Sequence, residues 1–500
     1  VTATTFVGAS GGAGAIALGA SATGTNPSRS GEITTGLFSA NSGEVSIASQ
    51  YYGEVARFDP SGIDLPYFNS QSYKLAGRNA LKLTSSGNPI IGDTNTSYSN
   101  QRETVAIGYR ALNSMTNVTD SLSVAVGSQA LENKQATTSI FGRRNVGIGY
   151  QAMQNYAQAY QNTAVGYQAL QQTTTNATTT QSNVALGMQA MQNGAGSSNV
   201  AVGYQAMISS TGSNNVAVGR TTLRVNSGAS NTAVGGSALF SNTSGTGNTA
   251  LGYISLTTNN TGLYNTGLGY GTLVTNANGS YNTGIGFSAA YNTFTGSNNT
   301  EVGARAAECR GTGNGNVALG YGALYGAILY DSYSGQPYCD TTATYNNNTA
   351  IGNVALYNIH SGSNNIALGA SSLYANYSGS NNVALGGGTL FGLTTGGNNL
   401  ALGHNVGLTL TTGSNNILIG TSTGVDTPTV GTSNWLNIGN TIYGDLANHR
   451  IAIGGGITST AAGVTFDLGQ ITDSMRLPLG TTAQRPTGLQ GMFRYNTQTG

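Results

Sequence analysis

The chain has 500 residues, 75 of them glycine, with 7% charged residues and a net charge of +1. That is far below the roughly 25% charge of an ordinary globular domain, and it leaves no electrostatic footprint for nucleic acid or an anionic membrane. No run reaches the ~18 apolar residues of a membrane-spanning helix, and the first residues lack the basic and apolar regions of a signal peptide.

Residues 1–90 read as a small β-rich cap or adaptor. Charges concentrate there, Glu44–Ala48 alternates as a strand, and Pro60 and Pro66 mark loops. Ala15–Gly19 looks like one isolated repeat. Residues 91–420 are periodic. The motif Asn-x-Ala-Val/Leu-Gly ends at Gly108, Gly127, Gly149 and Gly166, then at Gly187, Gly203, Gly219, Gly235, Gly252, Gly269, Gly286, Gly303 and Gly320, and again at Gly352, Gly369, Gly386, Gly403 and Gly420. The step is 16 from Gly187 to Gly235 (235 − 219 = 16) and then 17 (269 − 252 = 17). A fixed short period marks a repeat architecture. At ~4.8 Å per coil the stack is expected to be roughly 85–90 Å long.

Each repeat reads as strand, turn, short strand, turn. In Asn215–Gly219 the valines Val216 and Val218 share one face and Ala217 the other. The valines are expected to point inward, forming a core that only stacked coils can bury. The small residues then point outward: Ala201, Ala217, Ala233, Ala250, Ala318, Ala350, Ala367, Ala384 and Ala401. That face is read as a trimer contact, the alternative being cover by the chain's own loops. Four residues before each motif glycine from Gly149 onward stands an asparagine: Asn145, Asn162 and Asn183, then Asn199, Asn215, Asn231, Asn248, Asn265, Asn282, Asn299, Asn316, Asn348, Asn365, Asn382, Asn399 and Asn416. Stacking aligns these into an amide ladder. The plainer reading, Asn as a turn former, explains less, because Gly, Ser or Asp would serve a turn equally well.

Between Gly320 and Gly352 the repeat takes 32 residues. The insertion, 321–347, carries Tyr325, Tyr330, Tyr333, Tyr338 and Tyr345, and insertions in solenoids often form the binding face. These tyrosines are candidate glycan contacts; the alternative is a structural loop covering the roll. The two cysteines, Cys309 and Cys339, are a candidate disulfide that would tether the loop, the alternative being two buried thiols. Residues 421–500 leave the period and form a β-rich segment expected to continue beyond Gly500.

The repeat resembles the head repeat of YadA-type trimeric adhesins, and longer versions such as Asn162–Leu170 are similar to repeats in bacteriophage tail fibres. Met475–Asn496 also resembles a segment common near the C-terminal part of tail fibres. The resemblance implies a left-handed parallel β-roll, an all-β solenoid assembled as a homotrimer with the small-residue strand towards the axis. It further implies a structural and adhesive fibre on a virion, contacting other tail or baseplate proteins and a host-surface glycan or protein. A bacterial trimeric adhesin, an extracellular structural filament and a polysaccharide depolymerase are the alternatives.

Little points to chemistry. From residue 145 to 420 the acids are Glu301, Glu308, Asp331 and Asp340, sparse material for a hydrolytic carboxylate pair. Glu301 replaces a motif alanine and is expected at the axis. His360, His404 and His449 stand apart, without metal-ligand spacing. Gly267–Gly271 mimics a phosphate loop but is a repeat strand with no lysine after it. No enzyme activity, cofactor, nucleic-acid partner or membrane insertion is expected.

Overall fold

The computed structural model describes residues 180–293, 295–326 and 342–453 continuously, with shorter stretches from 28 to 172 and near 328–330, 337–340 and the C-terminus. Ala15–Gly19 lies outside the described residues, as does most of Met475–Asn496. Two compact units divide at Ser182 and Asn183.

In the first unit, the strands Ser28–Arg29, Glu32–Phe38, Val45–Ser49, Gly53–Asp59 and Gly62–Asp64 form an antiparallel meander. Tyr73–Leu75, Arg78–Leu83 and Pro89–Ile91 form a second one. Pro89–Ile91 then pairs in parallel with Val105–Ile107. Three further parallel strands follow, Val124–Val126, Val146–Ile148 and Thr163–Val165.

The second unit is a parallel β-solenoid. Its three-residue strands run from Val184–Leu186 to Ile417–Ile419 and pair in strict register, Ala217 opposite Ala201 and Ala233. Trp435–Ile438 continues the ladder in parallel, Ile442–Asp445 and Arg450–Ile453 extend it with antiparallel pairs, and Arg450–Ile453 pairs in parallel with Phe466–Asp467. The described residues are all-β, with no helix.

From Val200 onward each coil of the roll has only one strand, whereas Ala159–Tyr160 and Thr180–Gln181 form a further short parallel pair earlier in the chain. The expected second strand is a series of tight turns in which the second and fourth residues after the motif glycine are left-handed, as at Thr221 (φ 54°) and Leu223 (φ 48°). Such conformations cost a non-glycine residue about 1 kcal/mol or more. Hydrogen bonds between coils offset this: Thr221 N–H donates to Tyr204 O at 2.9 Å and Leu223 N–H to Ala238 O at 3.0 Å. The motif glycine is required for a steric reason. At Gly269 (φ 131°) a Cβ would lie 2.2 Å from the carbonyl oxygen of Gly286 in the next coil.

The inward and outward faces of the strand are the reverse of those expected. Ala201, Ala217, Ala233, Ala250, Ala318, Ala350, Ala367, Ala384 and Ala401 are fully buried inside the roll, so in this fold they are not an exposed trimer face. The valines and leucines beside them point out. The cause is the narrowness of the roll. The turn wall already fills it with a buried pair in most coils, such as Ala238–Leu239, so the strand there sends in a small side chain, and larger ones enter only at Glu301 and at Leu418, which faces Gly407. At Gly267 a Cβ would already meet Ser255 Oγ at 2.4 Å. The longer member of the buried pair forms a column through Leu223, Leu239, Leu256, Leu273, Leu324, Leu356, Leu373 and Leu390, interrupted only by Ala290 and Ala307 in the intervening coils.

Candidate functional sites

The asparagines four places before the motif glycines stand in a buried column. Asn215 N–H donates to Asn199 Oδ1 and Asn231 N–H to Asn215 Oδ1, both at 2.8 Å. The Nδ2 group turns the corner by donating to a glycine carbonyl of the next coil, Asn231 to Gly245 at 2.9 Å. Asn248 makes both kinds of bond. The column is therefore mostly amide-to-backbone, and it satisfies buried groups that a roll this thin cannot expose to water. Its last carbonyl, Asn416 Oδ1, accepts from Trp435 N–H at 2.8 Å.

A second asparagine column escaped the sequence reading. Asn226, Asn242, Asn259 and Asn276 lie seven residues after their motif glycines, each buried, and Asn242, Asn259 and Asn276 each donate Nδ2 to the Oδ1 of the one before at 2.7–3.0 Å. The same spacing was visible in the sequence, but the turn-rich composition around it concealed it.

The insertion leaves the roll as an antiparallel hairpin, Ile328–Tyr330 with Pro337–Cys339. Cys309 and Cys339 are disulfide-bonded and join the hairpin to the preceding coil. Asn292 Nδ2 donates to Cys339 Sγ at 3.1 Å. Asp340 receives Thr342 N–H and Oγ1 and pairs with His360 Nε2 at 2.7 Å. Against the effect of burial, these partners hold Asp340 below the usual carboxylate range.

Two of the five candidate glycan contacts are unavailable. Tyr345 is fully buried with its hydroxyl donating to Leu324 O, and burial pushes that hydroxyl's pKa well up. Tyr325 is 6% exposed, stacked on Tyr357 and covered by the Arg305 guanidinium. Burial raises Tyr325 to about 12. Both rings complete the wall where the insertion departs. Tyr333 lies outside the described residues, as does Asp331, and Tyr330 and Tyr338 are placed only as strand backbone.

Further aromatic rings stack coil on coil, Tyr357 on Tyr374 at 5.3 Å and Tyr374 on Phe391 at 5.0 Å. Tyr253, Tyr270 and Phe287 do likewise. Their faces cover one another along the stack and their edges look outward.

Glu301 does not face outward. It is fully buried in the roll, its Oε1 2.9 Å from Arg310 Nε, and Arg310 is equally buried. Burial raises the Glu301 carboxyl to about 7 despite the opposing charge. Glu308 pairs with Arg305 at 2.5 Å. Each described acid of the insertion region thus has a basic partner. Among the described residues no three His, Cys, Asp or Glu side chains come together as a metal site.

The outer side of the strand ladder carries a run of exposed apolar residues. Leu251, Leu268, Leu319, Leu368 and Leu402 are each 39–46% exposed, flanked by Val317, Ile366 and Leu400 on one side and by Tyr253, Tyr270, Phe287 and Tyr321 on the other. The chain matches no family model, no curated protein and no solved structure.

Proposed function

We propose that this chain is a structural and adhesive fibre protein, a homotrimeric bacteriophage tail fibre that attaches a virion to the host surface. One observation carries the reading: the solenoid leaves one face of a parallel sheet apolar and open to solvent. Parallel sheets are almost always covered on both faces, and exposed apolar patches beyond a few hundred Å² mark interaction sites. Leu251, Leu268, Leu319, Leu368 and Leu402 repeat at coil spacing with scarcely a charge among them. A second copy carrying the same spacing is the natural cover, and rotation about an axis along the stack matches every coil with its equivalent. This face takes over the assembly role that the alanine column cannot fill. The virion assignment rests on the resemblance of Asn162–Leu170 and Met475–Asn496 to tail fibres. Recognition is assigned to the hairpin of the insertion, the largest departure from the repeat. The disulfide suits an oxidising, extracellular setting.

The test is Leu251→Lys with Leu268→Lys. The variant should keep its β-sheet spectrum but run as a monomer by light scattering, and virions carrying it should lose adsorption. A wild-type chain that is folded and monomeric at micromolar concentration would overturn the assembly. A trimer that fails to bind host cells would overturn the attachment role alone.

A further inference from the structure

A solenoid of near-identical coils has a specific folding hazard. Skipping one coil sets asparagine on asparagine and alanine on alanine, and expels 17 residues as a loop. Loop entropy grows slowly with length, so closing the expelled loop adds little to the cost of losing that coil's own contacts, and the register is better fixed by positions at which neighbouring coils are not interchangeable.

Ala290, Glu301 and Arg310 form such a position. The inward strand residue of each coil packs on the long buried residue of the coil before it: a Cβ at Gly284 meets Leu273, one at Gly267 meets Leu256, and one at Gly147 meets Leu131. By the same relation Glu301 lies over residue 290, where the leucine column is interrupted by alanine. The carboxylate occupies the space that a leucine side chain would fill. Arg310, seven residues after its motif glycine, takes the place held by asparagine in the second ladder and reaches Glu301 at 2.9 Å. Its guanidinium also donates to Gly313 O. A larger inward residue, a smaller facing residue and a countercharge therefore coincide in two adjacent coils.

We propose that this trio is a register key, selecting one stacking order among the nearly equal alternatives of the repeat. With one coil skipped, Glu301 would be set on Leu273, overpacking the core and burying its charge against aliphatic carbon. A buried ion pair adds little net stability compared with apolar residues of the same volume, and fixing register is its best-attested use.

The key makes a prediction that a stabilising contact would not. Ala290→Leu with Glu301→Ala and Arg310→Asn restores the ordinary inward contact at this coil and leaves Ala307 as it is. The full-length triple variant should melt no lower than wild type, yet refold from denaturant to a mixture. Limited proteolysis with mass spectrometry reads the mixture as cuts within a single expelled coil between 183 and 326, with the cleavable fraction several-fold above wild type. Refolding to one protease-resistant species, as in wild type, would overturn the proposal. Failure of the variant to fold would overturn it too, because the trio would then be stabilising the roll rather than choosing its register.

Discussion

The backbone N–H of Asn348 donates to Oδ1 of Asn316 at 3.0 Å, although 32 residues separate them. Asn365 N–H then donates to Asn348 Oδ1 at 2.9 Å at the ordinary spacing. The ladder therefore crosses the insertion without interruption, and the extra 15 residues (32 − 17 = 15) are an excursion from one turn. Deleting residues 327–341 together with Cys309→Ser should leave a cooperative thermal transition and an unchanged far-UV circular dichroism spectrum. Loss of the β signal would show that the roll depends on the hairpin.

The ladder itself should be costly to break. Asn248→Ala strands the N–H of Asn265, which uses its Oδ1, and removes one of two donors to the Gly262 carbonyl, which keeps Asn259 Nδ2. A buried group left unpaired costs about 1–3 kcal/mol. Asn260→Ala, on the exposed edge of the same coil, should stay within about 0.5 kcal/mol. Urea denaturation of the two variants checks the difference, and equal midpoints would reduce Asn248 to a turn former.

Glycine substitutions should separate by neighbour rather than by dihedral angle alone. Gly269→Ala places a methyl 2.2 Å from a carbonyl oxygen of the next coil. Gly439→Ala, also at positive φ, has nothing within 4 Å of its Cβ. The second should cost about 1 kcal/mol of backbone strain, and the first should disrupt the coil. Soluble yield and melting temperature of the pair decide the matter.

Much of this architecture was legible in the sequence because the period was. A motif glycine at a constant step, an asparagine four places before it and an alternating trio between them define a stacked parallel strand. What the alternation could not say was which face is inside. Size argues for valine inward, as in an ordinary sheet, but here the lumen is set by the opposite wall, where Ala238 and Leu239 already fill it. The turn wall was misread for a related reason. Two apolar residues in a row suggest a strand, whereas the chain runs through left-handed residues held by bonds between coils. Tyr345 was drawn into a surface cluster by proximity in sequence, and only the path of the coil shows its ring turning inward.

The corrected orientation gives opposite outcomes for neighbouring residues. Ala250→Lys should unfold its coil, since the side chain must enter a filled core and carry a charge there. Leu251→Lys, one residue on and 44% exposed, should leave the fold intact. Circular dichroism and hydrogen exchange of the single variants check this. A folded Ala250→Lys chain would mean that the alanine column faces outward after all.

The last prediction follows from Glu301. Its carboxyl is raised from 4.5 to about 7, chiefly by burial, against the pull of the Arg310 charge, with Tyr345 as the other titratable group close by. A raised acid binds its proton more tightly in the folded chain than in the unfolded one. Its stabilising contribution is therefore complete below about pH 4.5, declines as the unfolded chain ionises first, and is gone once the pH passes about 7. Asp340 and Asp445 are displaced the other way, from 3.8 downward, so their contributions are lost only in more acidic solution and do not overlap this window. Urea midpoints should fall as the pH is raised from 4.5 to 7. In Glu301→Gln, which keeps the side-chain volume but cannot ionise, the fall over that interval should flatten, whatever the absolute stability of the variant. An unchanged pH slope in Glu301→Gln would place the titration elsewhere and leave the Glu301–Arg310 pair charged throughout.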